Sequence, residues 1–205
     1  MGKLEEKKKK KKEALFNTAY RLFTTKGIHA TAISDIVNEA GVAKGTFYLY
    51  FKDKYDIKNK LIAHKTKELF DAAWKALDAS GKKSLEDRMI FIIDYILDLL
   101  KGDLPLLNFI SKNLVMGALK TAFWSEEEDS DESFNDRYLE MVRQDSYEYQ
   151  DVNVMLFTIV ELAGSTCYNS ILYGEPLPIE EYKPFLYRTV RLIIASHRVL
   201  HSDQK

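Results

Sequence analysis

The sequence predicts an all-α protein, with a small helical N-terminal domain over residues 13–60 and a larger helical domain over residues 61–205. Two observations support this fold class. Apolar residues recur at the three- and four-residue spacing of a buried helical stripe in almost every segment. Residues 33–54, ISDIVNEAGVAKGTFYLYFKDK, have the pattern of two short helices joined by a tight turn. About nine helices are expected in the whole chain.

The first helix and the two helices of the turn motif are expected to share one small core. The first helix should end at Gly27, where the chain can turn. Gly41 should separate the two motif helices, because a tight turn favours a residue that tolerates positive φ. The predicted buried stripes are Leu15, Ala19, Leu22 and Phe23 in the first helix, and Ile33, Ile36, Val37 and Ala40 in the second.

The second helix of the motif, from about Ala43, is the strongest functional candidate. It is expected to bury Phe47 and Phe51 on one side, and no acidic side chain between residues 40 and 52 would repel phosphate. Its other side offers cationic and hydroxyl donors, as a helix in the major groove of DNA requires. The alternative is an ordinary α-hairpin whose polar side chains only face solvent. The donors are Lys44, Thr46, Tyr48 and Tyr50.

Longer helices are predicted in the rest of the chain. A fourth helix, capped by Asp53, should run to about residue 79, followed by helices over residues 85–100 and 107–123. The acidic segment SEEEDSDES at residues 125–133 predicts a solvated connector, since it lacks the glycine and alternating ligands of a calcium loop. A polar-faced helix is expected at residues 134–150. The last two helices, at residues 152–173 and 179–200, are apolar enough to require burial against another surface.

From residue 13 to about residue 69, the sequence resembles the DNA-binding domain of the TetR family of bacterial transcriptional regulators. The resemblance is carried by ALFNTAYRLFTTKGIHATAISDIVNEAGVAKGTFYLYFKDKYDI, whose pieces have the order and spacing of that family. One departure is Ala43, where family members usually carry a Ser or Thr that caps the recognition helix, and its absence costs about 1 kcal/mol of helix stability. The resemblance implies a sequence-specific transcriptional regulator, with its helix-turn-helix motif at about residues 32–52.

Eight residues are predicted to contact DNA on this basis. Lys44 and Thr46 could reach base edges, whereas Tyr50 and Lys54 are better placed for phosphate. Gly45 could let the backbone approach DNA or could pack tightly against the preceding helix, and both roles stay open. The full set is Thr31, Lys44, Gly45, Thr46, Tyr48, Leu49, Tyr50 and Lys54.

The resemblance also implies a homodimer and a small-molecule effector of unknown identity that releases the repressor from its operator. In relatives the last two helices pair with their copies, which sets two recognition helices about 34–36 Å apart on a pseudo-palindromic site. A ligand between the central helices would then shift the dimer away from its DNA-binding form. Aromatic or soft side chains could line that cavity, although each could equally be ordinary core: Phe91, Tyr95, Met116, Trp124, Tyr138, Cys167 and Tyr168. An aromatic body with excess acid favours a lipophilic, neutral or cationic ligand.

The formal net charge of −1 conceals an asymmetry between the two ends of the chain. Residues 1–60 carry 14 Lys and Arg against 7 Asp and Glu, whereas the remainder carries 16 against 24. A basic head on an acidic body suits a protein that turns its head toward DNA phosphates. Residues 7–12 are six consecutive lysines, and a Lys-rich tail over residues 1–12 is predicted to be disordered. It could be a solvated tail, an arm along DNA or a patch for an anionic membrane.

Other classes of function find little support in the sequence. The single cysteine, Cys167, rules out an intrachain disulfide framework and suits a cytoplasmic protein. No run of 18 apolar residues and no secretory signal is present, so no membrane contact is predicted. No nucleophile paired with a base, glycine-rich phosphate loop or metal-ligand cluster stands out, so neither an enzyme nor a cofactor or metal site is predicted. The repressor hypothesis therefore competes mainly with a sequence-tolerant DNA-coating or membrane-tethered adaptor that uses the lysine tail.

Overall fold

The computed structural model describes residues 3–111 and 134–199, and this part of the chain forms nine α-helices. The predicted all-α class is confirmed. The acidic connector, Met116, Trp124 and most of the helix predicted at residues 107–123 lie outside the described residues. In chain order the helices are α1 (Lys3–Thr25), α2 (Ile33–Glu39), α3 (Lys44–Tyr50), α4 (Lys54–Asp78), α5 (Leu85–Gly102), α6 (Leu104–Ser111), α7 (Phe134–Arg143), α8 (Val152–Leu172) and α9 (Ile179–Ser196).

Helices α1 to α3 and the first half of α4 enclose the core of the N-terminal head. The stripes predicted from spacing lie in this core, where Ile33 and Ala40 are partly buried and the other six residues are buried. Aromatic rings fill the centre: the ring centroid of Phe51 lies 5.4 Å from that of Phe47 and 5.3 Å from that of Phe16. Such contacts add about 0.5–1.5 kcal/mol each beyond the burial of their area. The core also includes Leu15, Leu22, Ile36, Ile57 and Leu61.

The turns of the head follow the local signals in the sequence. Gly41 has a φ of 66°, as expected for the turn between α2 and α3. The Asp53 carboxylate caps α4 by accepting hydrogen bonds from the backbone N–H groups of Tyr55 (2.7 Å) and Asp56 (2.8 Å). Ala43 precedes α3 without a side-chain cap, as its methyl group dictates.

The prediction of a disordered tail over residues 1–12 is wrong for residues 3–12, which form the first turns of α1. Lysine is a good helix former, so the repulsion between neighbouring lysines competes with a favourable backbone preference. Glu5 and Glu6 lie in the first turn, where negative charge stabilises a helix, and the Lys10 ammonium is 2.9 Å from the Glu6 carboxylate one turn away. Attachment to the folded part of α1 then carries the helix through the run.

The body is built from α5, α7, α8 and α9 around the second half of α4. Its core contains Trp74, Ile92, Tyr138, Ile159 and Val190. The helix predicted at residues 134–150 ends earlier, at Arg143. The reason lies in Asp145, whose carboxylate accepts a hydrogen bond from the Leu85 backbone N–H (2.8 Å) and so draws the chain toward the start of α5.

Head and body are joined by a continuous helix and by an aromatic contact. Helix α4 passes through the predicted domain boundary at residues 60–61 without a break, so that division remains a prediction. The Phe109 ring of α6 packs edge-on against Tyr20 of α1, with centroids 5.4 Å apart, and stacks on Phe23 at 6.5 Å. The core of the head therefore extends into α6.

Candidate nucleic-acid interface

The outward face of α3 is held rigidly by one fully buried ring. Phe47 is completely buried and anchors the helix in the head core, which fixes which side chains point away from it. Tyr48 is 52% exposed and Leu49 is 80% exposed, while Lys44 is exposed and Thr46 is half-buried. Tyr48 and Leu49 are neighbours, and together they give this short helix exposed apolar surface. The face therefore offers a cation, two hydroxyl groups and apolar surface to a groove.

Gly45 does not pack against α2. A Cβ atom built on Gly45 would meet no atom within 4 Å, so tight helix packing is excluded as its role. Gly45 is exposed at the start of α3, and the alternative role, close approach of the backbone to DNA, stays a prediction.

The Tyr50 hydroxyl is already engaged within the head. It donates a hydrogen bond to the backbone carbonyl of Lys8 at 3.3 Å, and its side chain is half-buried. The predicted donation to a DNA phosphate would compete with this bond. The same contact places the lysine run of α1 beside the C-terminal end of α3, a neighbourhood that the sequence alone did not indicate.

Thr31 and Lys54 hold the loop between α1 and α2, which differs from the DNA contacts predicted for them. Thr31 is 1% exposed, and its hydroxyl donates to the Gly27 carbonyl at 2.8 Å. The Lys54 ammonium donates to three backbone carbonyls, those of Ile28 (3.0 Å), His29 (3.3 Å) and Thr31 (3.3 Å). Direct contact between the Thr31 side chain and DNA is ruled out by its burial, and the assignment of Lys54 to phosphate is wrong in this conformation because its donors are used inside the head.

The five predicted effector residues that the structure describes are divided between two cores, four in the body and Tyr168 in the head. Phe91 and Tyr95 stack on each other along α5, with centroids 6.2 Å apart. Tyr138 is fully buried and donates to the Val152 carbonyl at 2.7 Å, and burial raises its pKa. Cys167 is also buried, which raises the pKa of its thiol to about 11 and keeps it protonated at neutral pH. Tyr168 belongs to the head side, where its hydroxyl donates to the Asn108 side chain at 2.8 Å.

A cavity of about 370 Å³ opens instead where α4 ends and α5 begins. Its floor includes Trp74, which is 4% exposed and whose indole N–H has no hydrogen-bond partner among the described residues. None of the described residues proposed from the sequence lines it, because α4, α5 and α7 contribute its walls from positions about 60 residues apart. The charged and apolar lining includes Trp74, Asp78, Lys82, Arg88, Arg137, Glu140 and Met141.

Helices α8 and α9 leave an apolar surface uncovered. Val154 and Phe157 on α8 are 57% and 49% exposed, and Phe185 and Leu192 on α9 are 50% and 64% exposed. By length and composition, α8 is the one helix within the described ranges that could cross a membrane. In this structure 28% of its most apolar window is buried. The carboxylate of Glu161 lies in the middle of α8, where a bilayer would oppose it.

The fold and the acid-free face of α3 define a helix-turn-helix protein of the class that binds double-stranded DNA. Residues 12–60 match the family described as bacterial regulatory proteins, tetR family. The match lies within the head, which therefore carries the sequence signature of that family.

Two relatives from Bacillus subtilis (strain 168) match parts of the chain. The chain is 52% identical over 44 residues to the uncharacterized helix-turn-helix-type transcriptional regulator YerO, and the aligned segment covers 22% of this chain and 15% of that protein. It is 31% identical over 96 residues to the fatty acid metabolism regulator protein, and this alignment covers 47% of this chain and 48% of that protein. The chain therefore aligns with less than half the length of either relative.

A solved structure resembles nearly the whole fold. The transcriptional regulator FadR from Bacillus subtilis, in complex with stearoyl-CoA, superimposes with a TM-score of 0.54 at 18% sequence identity. The match covers 92% of this chain and 99% of FadR. At this identity the likeness establishes a shared all-helical fold for head and body.

Proposed function

We propose that the protein is a cytoplasmic, dimeric transcriptional repressor that binds a pseudo-palindromic operator and leaves it when a small molecule binds the body. The observation that carries this proposal is the α3 face: Lys44, Thr46, Tyr48 and Leu49 project from a helix locked by Phe47, with no carboxylate among them. Side chains fixed in this way can discriminate base edges, since a bidentate or methyl contact changes affinity by about 1–3 kcal/mol per base pair.

The uncovered apolar surface supports the homodimer. Val154, Phe157, Phe185 and Leu192 lie on two helices that already pack side by side, so a second copy could cover both at once. A two-fold related pair of these helices makes a four-helix bundle, in which the same patch is used by both copies. Two heads would then meet successive major grooves, which a single head reading a few base pairs cannot do.

The cavity at the end of α4 supports an amphipathic, anionic effector such as a fatty acyl-CoA. Trp74 and Met141 provide an apolar floor. Three cations, Lys82, Arg88 and Arg137, line the opening against two carboxylates, those of Glu140 and of Asp78, which pairs with Arg137. The net negative charge of the body favoured a neutral or cationic ligand, but the side chains that line this opening carry more cations than carboxylates. The stearoyl-CoA bound to FadR provides a further reason to choose this class.

Selection of bound sequences from a random DNA pool at about 150 mM salt tests DNA recognition. We expect enrichment of a pseudo-palindrome, bound at least about a thousandfold more tightly than random DNA. Recovery of no preferred sequence, with equal binding to all DNA, would favour the DNA-coating alternative. Binding to anionic vesicles in preference to DNA would favour a membrane-tethered adaptor.

Release from the selected operator tests the effector. We expect stearoyl-CoA to dissociate the complex at concentrations where coenzyme A alone does not, and Arg88→Gln to raise the concentration required. Lys83→Gln removes a neighbouring exposed cation that does not line the cavity, and it serves as the control. Equal release of both variants would contradict the placement of the ligand at this opening.

A further inference from the structure

We infer that the lysine-bearing N-terminal part of α1 is a rigid arm that binds the DNA backbone beside each half-site and supplies most of the electrostatic affinity. This rests on the proposed function, because the arm can act only when α3 lies in a groove. Residues 7–12 account for six of the seven net positive charges in residues 1–60. Without them the head is almost neutral, and α3 itself carries a single cation, Lys44.

The arm has a defined position relative to α3. Helix α1 is continuous from Lys3 through the buried residues that begin at Leu15, so its first turns extend the folded head as a rod. The 23 residues of α1 span about 34 Å at 1.5 Å per residue. The hydrogen bond from the Tyr50 hydroxyl to the Lys8 carbonyl ties the lysine run to the end of α3.

Double-stranded DNA is the partner that fits this placement. All six lysines are exposed, and a helix with lysines at successive positions presents ammonium groups around its axis, so the side toward the groove always carries some of them. Lys12 lies over the Phe16 ring, with its ammonium 5.7 Å from the centroid, which orients the end of the run nearest the core. An arm fixed beside the recognition helix meets phosphates whenever that helix is in the groove, and ammonium groups bind phosphate without reading sequence.

The test replaces Lys7, Lys8, Lys9 and Lys11 with Gln, which retains helix propensity and leaves the Glu6–Lys10 pair and the Lys12–Phe16 contact in place. Each phosphate that a lysine neutralises contributes about 0.9 to the slope of log affinity against log salt. Each arm of the dimer should neutralise at least one phosphate fewer after the replacement, so we expect the slope to fall by about 2 or more. Affinity for operator and for random DNA should fall by the same factor, about tenfold or more at 150 mM salt, and the selected sequence should not change.

The matched control is Lys75→Gln with Lys83→Gln, which removes two exposed lysines that do not line the cavity and should leave the slope unchanged. Circular dichroism of the arm variant should retain the helical signal of α1. The DNA-binding role of the arm would be refuted by an unchanged salt slope in the arm variant. It would also be refuted if the arm variant kept its full affinity for DNA but no longer bound anionic vesicles. Failure of the unmodified protein to prefer any sequence would instead refute the proposed repressor, so the two failures are distinguishable.

Discussion

Lys54→Ala separates a structural role from a DNA contact. The Lys54 ammonium lies within 3.3 Å of three backbone carbonyls in the loop between α1 and α2, and the side chain is half-buried. Hydrogen bonds from a charged donor are worth about 1.5–3 kcal/mol, but His29 is exposed and water can replace part of this stabilisation. We therefore expect a loss of about 2 kcal/mol in the free energy of unfolding, which lowers the melting temperature by about 4–8 °C in a chain of this length.

Lys52→Ala provides the matched control, since Lys52 is an exposed lysine two positions away and the variant loses the same charge. Thermal unfolding of both variants measures stability, and operator binding over a range of salt measures phosphate contacts. Lys54→Ala should be the less stable of the two, with the salt dependence of the wild type. A Lys54→Ala protein as stable as Lys52→Ala, but with a salt slope lower by about 1.8, or about 0.9 for each head of the dimer, would support the phosphate contact and refute the structural role.

Three further predictions concern the head and the α5–α9 contact. Thr31→Val keeps the shape of a buried side chain but deletes its hydrogen bond to Gly27, so we expect about 1–2 kcal/mol lower stability by urea unfolding and an unchanged operator preference. Gly45→Ala should leave the free energy of unfolding unchanged or raise it by up to about 1 kcal/mol, because no atom opposes the added methyl group. The same variant should bind the operator more weakly if the backbone at Gly45 approaches DNA, and an unchanged affinity would contradict that approach. Burial opposes ionisation of Asp94, but the Lys183 ammonium at 2.8 Å and the Tyr187 hydroxyl outweigh it and hold its pKa below 3.8. This stabilisation is present above about pH 4 and disappears as pH falls through the lowered pKa, so the difference in urea midpoint between wild type and Asp94→Asn should narrow on acidification below pH 4.

The exposed face of α3 could be predicted from sequence because it depends on local periodicity. Once Phe47 and Phe51 are assigned to the interior, the geometry of a helix places Lys44, Tyr48 and Leu49 on the outside. The same reasoning fixed the turn at Gly41 and the cap at Asp53, which involve only neighbours in the chain.

Residues whose roles depend on distant parts of the chain could not be assigned in this way. Lys54 meets carbonyls 23 to 26 positions earlier, and nothing in its local sequence distinguishes it from the exposed Lys52. The cavity beneath Arg88 and Arg137 is formed by three helices whose packing decides which side chains converge. The lysine run was predicted to be disordered because only the repulsion between like charges was considered. It is helical because lysine has a high helix propensity and because the run is attached to a folded helix.

In the head, affinity and specificity for DNA depend on two different elements, the arm and α3. A face with one cation and two exposed large side chains can distinguish sequences, but it attracts DNA weakly at physiological salt. Six lysines on a rigid extension supply attraction that is the same for every sequence, so they raise operator and random binding together and leave their ratio to α3. Because the extension is continuous with α1, and α1 packs on α6 through Phe109, any displacement of the head moves the arm and the recognition helix as one unit. A ligand that reorients the head would then remove both contributions at once, which makes release steeper than the removal of base recognition alone would allow.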